Sequence, residues 1–291
     1  MSERRILFGT AGWSYGDWKG VVYPRPRPRG FDELNFLAGY FDCVEVNSTF
    51  YQPPQASRVA DWVRRTAGQE GFRFTFKLHQ DHTHGEAEPG ALREFHQALR
   101  PAREAGVLGA VLLQFPWSFD CTPAHRDKVA RLVQALSPSP CVVEVRHGSW
   151  DTPGGIRFFE EEDLAFCNID QPQACGSVGM TDLSTQDLAY FRFHGRNREA
   201  WFDRNAGRDD RYNYLYSQAE LAAWVPLIQN AARTARETYV IGNNHFKGKA
   251  PANILELKAL ITGEKVDIPL PLLKTYTRLD RIFFSQGLLP F

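Results

Sequence analysis

Short runs of alternating polar and apolar residues recur along the chain, and many of them end in a polar side chain. One run carries Glu45 and Asn47 between valines, and another carries Glu144 and Arg146. Side chains alternate across a strand, so the two polar residues of each run share one face. The other face is apolar and suits packing against helices, whereas buried polar groups need partners or a use. This pattern predicts a parallel barrel whose upper interior is a polar site.

Eight strands are predicted along the chain, with amphipathic helices between them. The strands span residues 5–10, 42–47, 72–77, 108–114, 141–146, 164–169, 189–194 and 238–243. The helical spacing of apolar residues predicts helices at 31–41, 57–66, 90–105, 123–136, 218–236 and 251–262. Alternation of strands and helices is typical of βαβ units in a parallel sheet. Eight strands favour a closed (β/α)₈ TIM barrel of the α/β class over an open doubly wound sheet.

The remaining local signals fit a single domain over residues 1–291. No glycine-rich dinucleotide-binding loop follows the first strand. Ser217 and Glu220 form a capping box at the start of one helix, in which Pro226 should produce a kink or a restart. The apolar tail at 264–291 is expected to pack on the barrel.

Composition narrows the classes of function. The chain is 43% apolar and carries 34 basic against 34 acidic residues. Zero net charge removes the overall basic signature of many nucleic-acid binders, although it does not exclude a local patch. Five scattered cysteines without a C-x-x-C pair favour a reducing, cytoplasmic compartment, and Cys43, Cys141 and Cys167 are expected to be buried thiols in strands. No apolar run is long enough to span a membrane, so no membrane association is expected.

Polar side chains collect where the predicted strands end, which is the face that carries the active site in such barrels. The candidate catalytic residues are Glu45, Glu144, Asp170 and His194. The candidate substrate-binding residues are Trp13, Tyr15, Asn47, Tyr51, Lys77, His84, Gln114, Arg146, His147, Arg192, Arg196, Asn243 and Asn244. The polar residues that lie within strands, Asp170 included, are expected on the inner face of the barrel.

The mixture of charges in this set favours an anionic ligand over a metal ion. Carboxylates from neighbouring strands, together with a histidine, could hold a divalent ion. Here Lys77, Arg146 and Arg192 interleave with the carboxylates, and a cation beside a metal is electrostatically unfavourable. Arginine forks suit phosphate or carboxylate groups. We therefore assign no metal ligands, while a hydrated divalent ion stays an alternative and the cofactor is left open.

A structural interpretation of the same residues also stands. Glu144 could pair with Arg146 or Arg192 and hold the barrel together without chemistry. Buried ion pairs are weak stabilisers compared with apolar residues of similar size, so they tend to have another use. This favours a functional site over a purely structural network.

The segment 195–216 is long for a connection and places arginines next to aromatic residues. These are Arg196, Arg198, Arg204, Arg208 and Arg211, with Trp201, Phe202, Tyr212 and Tyr214. The mixture suits nucleic acid or a phosphorylated ligand, and loops of this length often act as lids. Three aspartates in the same segment offset much of the charge, so a self-paired loop is the alternative.

Several motifs together resemble one family. They are Gly9-Thr10-Ala11-Gly12-Trp13-Ser14-Tyr15, Val44-Glu45-Val46-Asn47-Ser48-Thr49-Phe50-Tyr51, Phe74-Thr75-Phe76-Lys77 with Thr83-His84, Gln114-Phe115-Pro116, Val143-Glu144-Val145-Arg146-His147, Arg192-Phe193-His194-Gly195-Arg196 and Gly242-Asn243-Asn244. Over nearly its whole length the chain resembles the family called domain of unknown function 72, or YecE-like. The resemblance implies a (β/α)₈ barrel, distantly similar in shape to endonuclease IV and to sugar isomerases.

One position departs from the pattern of that family. A phenylalanine is expected before the two asparagines of the eighth strand, and Gly242 stands there instead. A small residue would widen that side of the site or let the backbone approach a ligand.

Taken together, residues and resemblance predict an enzyme that acts on an anionic substrate. The substrate would be a phosphodiester in nucleic acid, a nucleotide or a sugar phosphate, and the reaction could be similar to that of endonuclease IV. Arg146, Arg192 and Lys77 would hold the anion. Glu144 or Glu45 would act as general base, with His194 as acid or orienting group. A nucleic-acid or nucleotide binding protein without catalysis, and a sugar hydrolase or isomerase that uses the carboxylates, are the two alternatives.

Overall fold

The eight predicted strands form one closed parallel barrel. The computed structural model describes residues 4–203 and 205–284, apart from the side chain of Arg208. The strands are β1 Arg5–Ala11, β2 Cys43–Val46, β3 Arg73–Lys77, β4 Leu108–Gln114, β5 Cys141–Glu144, β6 Ala165–Asp170, β7 Leu188–Phe193 and β8 Glu237–Gly242. Each strand pairs in parallel with the next, and β8 returns to pair with β1. The (β/α)₈ prediction is confirmed, and the open sheet is excluded.

The helices differ from the predicted ones in several places. They are α1 Glu33–Ala38, α2 Ala56–Arg65, α3 Gln80–Thr83, α4 Ala91–Ala98, α5 Arg100–Glu104, α6 Pro123–Leu136, α7 Pro153–Glu161, α8 Arg198–Phe202, α9 Arg208–Arg211, α10 Gln218–Ala231, α11 Lys249–Thr262 and α12 Leu270–Thr275. The single helix predicted at 90–105 is two, because Pro101 begins a new helix in the first turn of α5. The helices α3, α7, α8, α9 and α12 were not predicted. The predicted restart at Pro226 is wrong, because α10 continues through it.

The strand register decides which side chains point into the barrel. Glu45 of β2 aligns with Thr75 of β3, and Gln114 of β4 aligns with Glu144 of β5. Aligned residues of neighbouring parallel strands point to the same face, so both members of each pair point into the barrel. The predicted alternation is confirmed for these strands, and it places their polar side chains in the interior.

Strand β6 has the opposite alternation from the one predicted. Ile169 aligns with Arg192 of β7 on the inner face, whereas Asp170 aligns with Phe193. Asp170 therefore faces the surrounding helices, where the indole nitrogen of Trp224 in α10 donates to its carboxylate at 2.6 Å. The predicted inward orientation of Asp170 is wrong, because an outward polar group can be satisfied by a helix that lies far away in the sequence.

Gly242 also faces outward. A Cβ atom at this position would lie 2.8 Å from Cγ1 of Ile254 and 3.0 Å from Cβ of Ala250. Both contacts are to α11, so the glycine lets this helix pack closely on β8. The expectation that Gly242 enlarges the site is wrong.

Residues 264–284 lie against the barrel. Leu272 and Leu279 are fully buried, and Val266 forms an isolated bridge with Phe283. Arg278 donates to the carbonyl oxygen of Tyr216 at 2.6 Å. The end of the tail expected at 264–291 lies beyond the described residues.

The barrel is enclosed by a continuous apolar core. Cys43, Cys141 and Cys167 lie in it as buried free thiols, as predicted from their strands. Among residues 4–203 and 205–284, no helix has the length and apolar character that crossing a membrane requires.

Candidate functional site

A buried arginine joins two carboxylates in the interior of the barrel. Nη2 of Arg192 lies 2.7 Å from Oε1 of Glu45, and Nη1 of the same guanidinium binds Oε2 of Glu144. The side chains of both glutamates are completely buried, and that of Arg192 is 1% exposed. The guanidinium is thereby fixed between strands on opposite sides of the barrel.

Glu45 lies at the floor of this cluster. Its second oxygen accepts a hydrogen bond from the hydroxyl of Tyr190 at 2.9 Å, and that hydroxyl lies 2.8 Å from Oγ1 of Thr75. Both carboxylate oxygens are therefore engaged by groups of the barrel itself. Desolvation of such a carboxylate is offset only while these partners stay in place.

Glu144 lies nearer the mouth and holds a second arginine. Nε and Nη2 of Arg146 donate to its Oε1 at 3.0 and 2.8 Å. Burial alone would raise the pKa of Glu144, but the charges of Arg192 and Arg146 outweigh it and hold the pKa well below its usual range. Glu144 is thus an ionised, weakly basic anchor. The side chain of Arg146 is 16% exposed and reaches the surface of the mouth.

His194 continues the network on the other side of Glu144. Its Nε2 lies 3.4 Å from Oε1 of Glu144, outside hydrogen-bond geometry. Its Nδ1 lies 2.9 Å from the amide nitrogen of Asn243, and the amide oxygen of Asn243 accepts from Asn47 at 3.3 Å. The orientation of Asn243 makes Nδ1 an acceptor, so Nε2 carries the proton.

Several buried polar atoms have no hydrogen-bond partner within the described residues, and two of them belong to side chains that bond Asn243 in this network. These two are Nε2 of His194 and Oδ1 of Asn47. Burial, despite the attraction of Glu144, lowers the pKa of His194 to about 3, so the ring is neutral near pH 7. Buried polar groups are almost always bonded, so such atoms in a cleft indicate room for a ligand group or a water molecule.

Lys77 is the last residue of β3 and has no acidic partner. Its Nζ lies 3.6 Å from the centre of the Phe50 ring, and within the described residues no ion pair joins it to a carboxylate. Burial, followed by repulsion from Arg192, lowers the pKa of Lys77 to about 7. Much of this lysine is therefore an uncharged amine at neutral pH. The side chain is still partly exposed at the mouth.

His84 lies beside Lys77 on the other edge of Phe50. The two ring centres of His84 and Phe50 are 5.3 Å apart, and Nδ1 of His84 lies 2.8 Å from the hydroxyl of Thr83. Burial, with repulsion from Lys77 and Arg146, lowers the pKa of His84 to about 4. The imidazole is consequently neutral near pH 7 and brings no charge of its own to this edge of the mouth.

An aromatic cover lies across the mouth. The ring of Trp201 is 6.0 Å from His194 and 5.8 Å from Tyr212, and the guanidinium of Arg146 lies 5.5 Å above the Trp201 ring. Tyr212 continues to His245, 5.5 Å away, on which Tyr15 stacks at 4.3 Å. Trp201 and Tyr212 thus lie over the polar cluster on its solvent side.

A cleft of about 540 Å³ opens beside this cover. Arg146 and Trp201 line it on the side of the cluster, and Trp117, Cys175 and Phe202 line it on the outer side. The side chains of Trp117 and Phe202 are 50% and 52% exposed. A volume of this size with aromatic walls and one cation is typical of a pocket for a small ligand.

Asp170 and Arg196 form a separate cluster on the outer side of the barrel. Nη2 of Arg196 lies 2.5 Å from Oδ2 of Asp170, and the Tyr216 hydroxyl donates to Oδ1 at 2.8 Å. The hydrogen bond to Asp170 raises the pKa of Arg196. With Trp224 also donating, these partners fill the acceptor positions of the carboxylate.

Five other candidates make contacts at the rim or within the wall. Trp13 meets Trp62 of α2 edge-on at 5.4 Å, and Tyr51 is 61% exposed. Gln114 donates to the carbonyl of Phe115, His147 bonds the hydroxyl of Ser149, and Asn244 donates to the carbonyl of Tyr214. The structure does not bring these five into the hydrogen-bonded chain around Glu144. Arg204 and the side chain of Arg208 lie outside the described part of the molecule.

The donor set of the mouth does not fit a metal ion. Glu45 and Glu144 are bound by guanidinium groups, and Asp170 belongs to the outer cluster. Across the described ranges, no group of three or more His, Cys, Asp or Glu side chains is arranged to hold a metal. The chemistry proposed below uses no metal ion.

Tyr190, Trp117 and Trp201 were not among the candidate catalytic and substrate-binding residues, although Trp201 belongs to the segment 195–216 that was expected to suit a ligand. Tyr190 follows the same alternation as Arg192 and His194 on β7, so its inward position could have been read from the sequence. Trp117 comes just after the end of β4, and Trp201 lies in the long segment over the mouth. The positions of these two depend on loop conformation, which periodicity does not predict.

Comparison with known proteins identifies the family. The model of the family described as "Protein of unknown function DUF72" matches residues 7–275. The UPF0759 protein YunF of Bacillus subtilis (strain 168) is 29% identical over 275 residues, which cover 89% of this chain and 95% of YunF. The UPF0759 protein YecE of Escherichia coli (strain K12) is 30% identical over 117 residues, 39% of each chain.

Solved structures support the same relationship. A DUF72 family protein from Thermotoga maritima is 32% identical, with a TM-score of 0.76 over 88% of this chain and 99% of that one. A DUF72 family protein from Enterococcus faecalis is 27% identical, with a TM-score of 0.77 over 89% of this chain and 96% of that one. The resemblance seen in the sequence motifs is confirmed: this chain is a (β/α)₈ barrel that belongs to the DUF72 family.

Proposed function

We propose that this protein is an enzyme that binds a small anionic substrate at the barrel mouth, with a phosphate group between Arg146 and Lys77. The observation that carries the proposal is the charge arrangement. Both inward carboxylates are consumed by guanidinium groups, whereas Arg146 and Lys77 reach the mouth from strands on the same rim. An arriving anion therefore meets the guanidinium of Arg146 and the amine of Lys77, and among the described residues of the mouth it meets no carboxylate that lacks a cationic partner.

Two buried polar atoms at the mouth that lack hydrogen-bond partners among the described residues could orient the ligand. The Nε2–H of His194 is a donor without an acceptor, and it belongs to a neutral ring. It can donate to a ligand oxygen at little electrostatic cost. Oδ1 of Asn47 is an acceptor without a donor, and it suits a hydroxyl group of the same ligand.

The proton-transfer role falls to Lys77 in this proposal. A general base works best when its pKa is close to the working pH, and the pKa of Lys77 is about 7. Glu144 has a pKa well below its usual range, which makes it a weak base and a good anchor for Arg146. Glu45, Glu144 and Arg192 are positioning residues here.

A small phosphorylated molecule is favoured over nucleic acid. The aromatic cover lies over the cluster, and the cleft beside it has the volume of a small-ligand site. Two arginines of the covering segment are engaged by the protein: Arg196 binds Asp170, and Arg211 donates to the carbonyl of Asp203. They are less available to a phosphate backbone than the sequence alone indicates.

Calorimetric titration with adenosine 5′-monophosphate, adenosine and a single-stranded oligonucleotide tests this proposal. The nucleotide carries a phosphate for the mouth and a ring for the aromatic cleft. We expect it to bind about tenfold or more tightly than adenosine, a difference of ~1.4 kcal/mol. Equal binding of the two would contradict the proposal. Oligonucleotide binding that is tighter than nucleotide binding and falls steeply with salt would instead favour a nucleic-acid binder.

A further inference from the structure

We propose that Lys77 is a nucleophile that forms an imine with a substrate carrying both a carbonyl group and an anionic group. This inference deepens the proposed function and rests on it, since the anionic group is the part held at Arg146. The inference adds a carbonyl group to the substrate, which the arrangement of charges alone does not specify.

Lys77 lies where an incoming substrate can reach its amine. It ends β3 on the inner face, at the rim where barrel enzymes place their reactive groups, and it is partly exposed. Its Nζ lies over the face of Phe50 at 3.6 Å, so an apolar surface replaces water on that side. The partly exposed end of the side chain lies at the mouth, where a ligand can reach the amine.

The charged groups around Lys77 also favour an uncharged amine. Lysines in protein interiors usually pair with a carboxylate, but within the described residues none binds this one, because Arg192 and Arg146 already engage Glu45 and Glu144. Two guanidinium groups in the same cluster disfavour a third positive charge. Desolvation next to other cations is one established way in which proteins activate a lysine for attack on carbonyl compounds.

The surrounding titratable groups agree with this state. The pKa of Lys77 is about 7, so the unprotonated amine is well populated at neutral pH. His84 and His194, whose pKa values are about 4 and about 3, are uncharged at that pH. Neither histidine therefore adds a positive charge next to the amine of Lys77.

The chemistry balances without an oxidant or reductant. The lone pair of Nζ attacks the carbonyl carbon, and one amine proton passes to the former carbonyl oxygen to give a carbinolamine. The carbon–oxygen bond then breaks, and the oxygen leaves as water with the second amine proton. One amine and one carbonyl compound therefore give one imine and one water molecule, and hydrolysis reverses the reaction.

Pyridoxal 5′-phosphate is a suitable probe, because it joins an aldehyde to a phosphate. The protein is incubated with the probe at pH 7, sodium cyanoborohydride is added, and the modified lysine is located by peptide mass spectrometry. We expect one adduct per chain, on Lys77, formed about tenfold or more faster than adducts at exposed lysines such as Lys274. Pyridoxal without the phosphate should react more slowly, and inorganic phosphate should protect Lys77.

Two variants make the result interpretable. Lys77→Arg keeps a positive charge but has no amine, so the rapid adduct should vanish. Lys249→Met is the matched control, since Lys249 is also partly buried, contacts Asn213 and has a lowered pKa. The rapid adduct should persist in it. Labelling of Lys77 no faster than that of Lys274 overturns the inference.

The same experiment separates this inference from the proposed function. Adenosine 5′-monophosphate has no carbonyl group that can form an imine, so its titration reports on anion binding alone. If the nucleotide binds and no rapid adduct forms, the anion site stands and the imine is wrong. If the adduct forms equally fast with pyridoxal and is not slowed by phosphate, the anionic handle is wrong, and the inference fails as stated.

Discussion

The hydroxyl of Tyr190 donates a hydrogen bond to Oε2 of Glu45, with 2.9 Å between the two oxygens, in the closed interior of the barrel. The other oxygen of Glu45 binds Arg192 at 2.7 Å. Glu45 is thus a buried carboxylate whose charge is matched by a buried guanidinium. The polar cluster at the mouth is built on this pair, so its integrity should decide both the stability of the barrel and the shape of the site.

Replacing Glu45 with glutamine should destabilise the protein strongly. The substitution preserves volume but leaves Arg192 with Glu144 as its remaining buried counter-charge, and breaking a buried pair typically costs about 3–5 kcal/mol. Urea unfolding measures the change. The matched control is Asp61→Asn in the surface pair with Arg64, where the loss should be about 1 kcal/mol or less. Similar losses in the two variants would contradict the role assigned to Glu45.

Lys77 should make stability depend on pH in an alkaline window. Its pKa is about 7 in the folded protein, below the value of about 10.4 for an unfolded lysine. Between these values the unfolded chain binds a proton that the folded chain lacks, so this group's unfavourable contribution, complete below pH 7, is relieved as the pH rises. The stability gained by Lys77→Met should therefore shrink from pH 6.5 to pH 9.5.

The control for that measurement is Lys274→Met at an exposed position of α12. The difference between each variant and the unmodified protein is taken at both pH values by urea unfolding. A stability difference for Lys77→Met that stays constant, or grows, across the window would refute the environment described for Lys77.

Anion binding should also take up a proton at Lys77. In the nucleotide complex, where Lys77 has no carbonyl group to attack, a phosphate at the mouth favours the ammonium form and raises the pKa of this amine from about 7. At pH 7.5, the calorimetric enthalpy of nucleotide binding should then vary with the ionisation enthalpy of the buffer. In Lys77→Met this proton uptake should disappear. Equal buffer dependence in the two proteins would place the proton elsewhere.

Asp170→Asn should loosen the segment after β7 without abolishing ligand binding. Asp170 accepts from Arg196, Tyr216 and Trp224, and an amide can satisfy these donors only in part. We expect a loss of about 2–4 kcal/mol in stability and faster hydrogen exchange near Gly195. Nucleotide affinity should change less than about tenfold. Unchanged stability together with lost nucleotide binding would instead place Asp170 in the ligand site.

Gly242→Ala tests whether this glycine serves packing or the site. The added methyl group would meet Ile254 at 2.8 Å and Ala250 at 3.0 Å, and such overpacking typically costs about 1–3 kcal/mol. Gly68→Ala is the control, because no atom lies within 4 Å of a Cβ built there. Ligand affinity should be the same in both variants. Lower affinity in Gly242→Ala with normal stability would restore a role for Gly242 in the site.

The sequence predicts the barrel well because alternation is a direct record of a strand with one polar face. Glu45, Glu144 and Arg192 could be placed in the interior for this reason. Alternation fails for β6, where Cys167 and Ile169 point inward and the polar residues point outward to partners in distant segments. Both faces of that strand are buried, so the pattern alone does not say which one lines the barrel.

The sequence did not predict the positions of residues that depend on loop conformation. Trp201 contributes to the mouth because α8 folds back over His194, and Trp117 contributes because the loop after β4 turns towards His147. Neither placement follows from periodicity. The lowered pKa of Lys77 likewise needed the structure, because it depends on the burial of the amine and on how Arg192 and Arg146 pair with the two carboxylates.

The most direct test of an anion site at the barrel mouth is a crystal structure of the protein with adenosine 5′-monophosphate. The account predicts the phosphate within hydrogen-bond distance, about 2.7–3.2 Å, of the guanidinium of Arg146 and the amine of Lys77. A phosphate bound instead in the cleft at the other end of the barrel, which Arg5, Lys258 and Lys265 line, would contradict it.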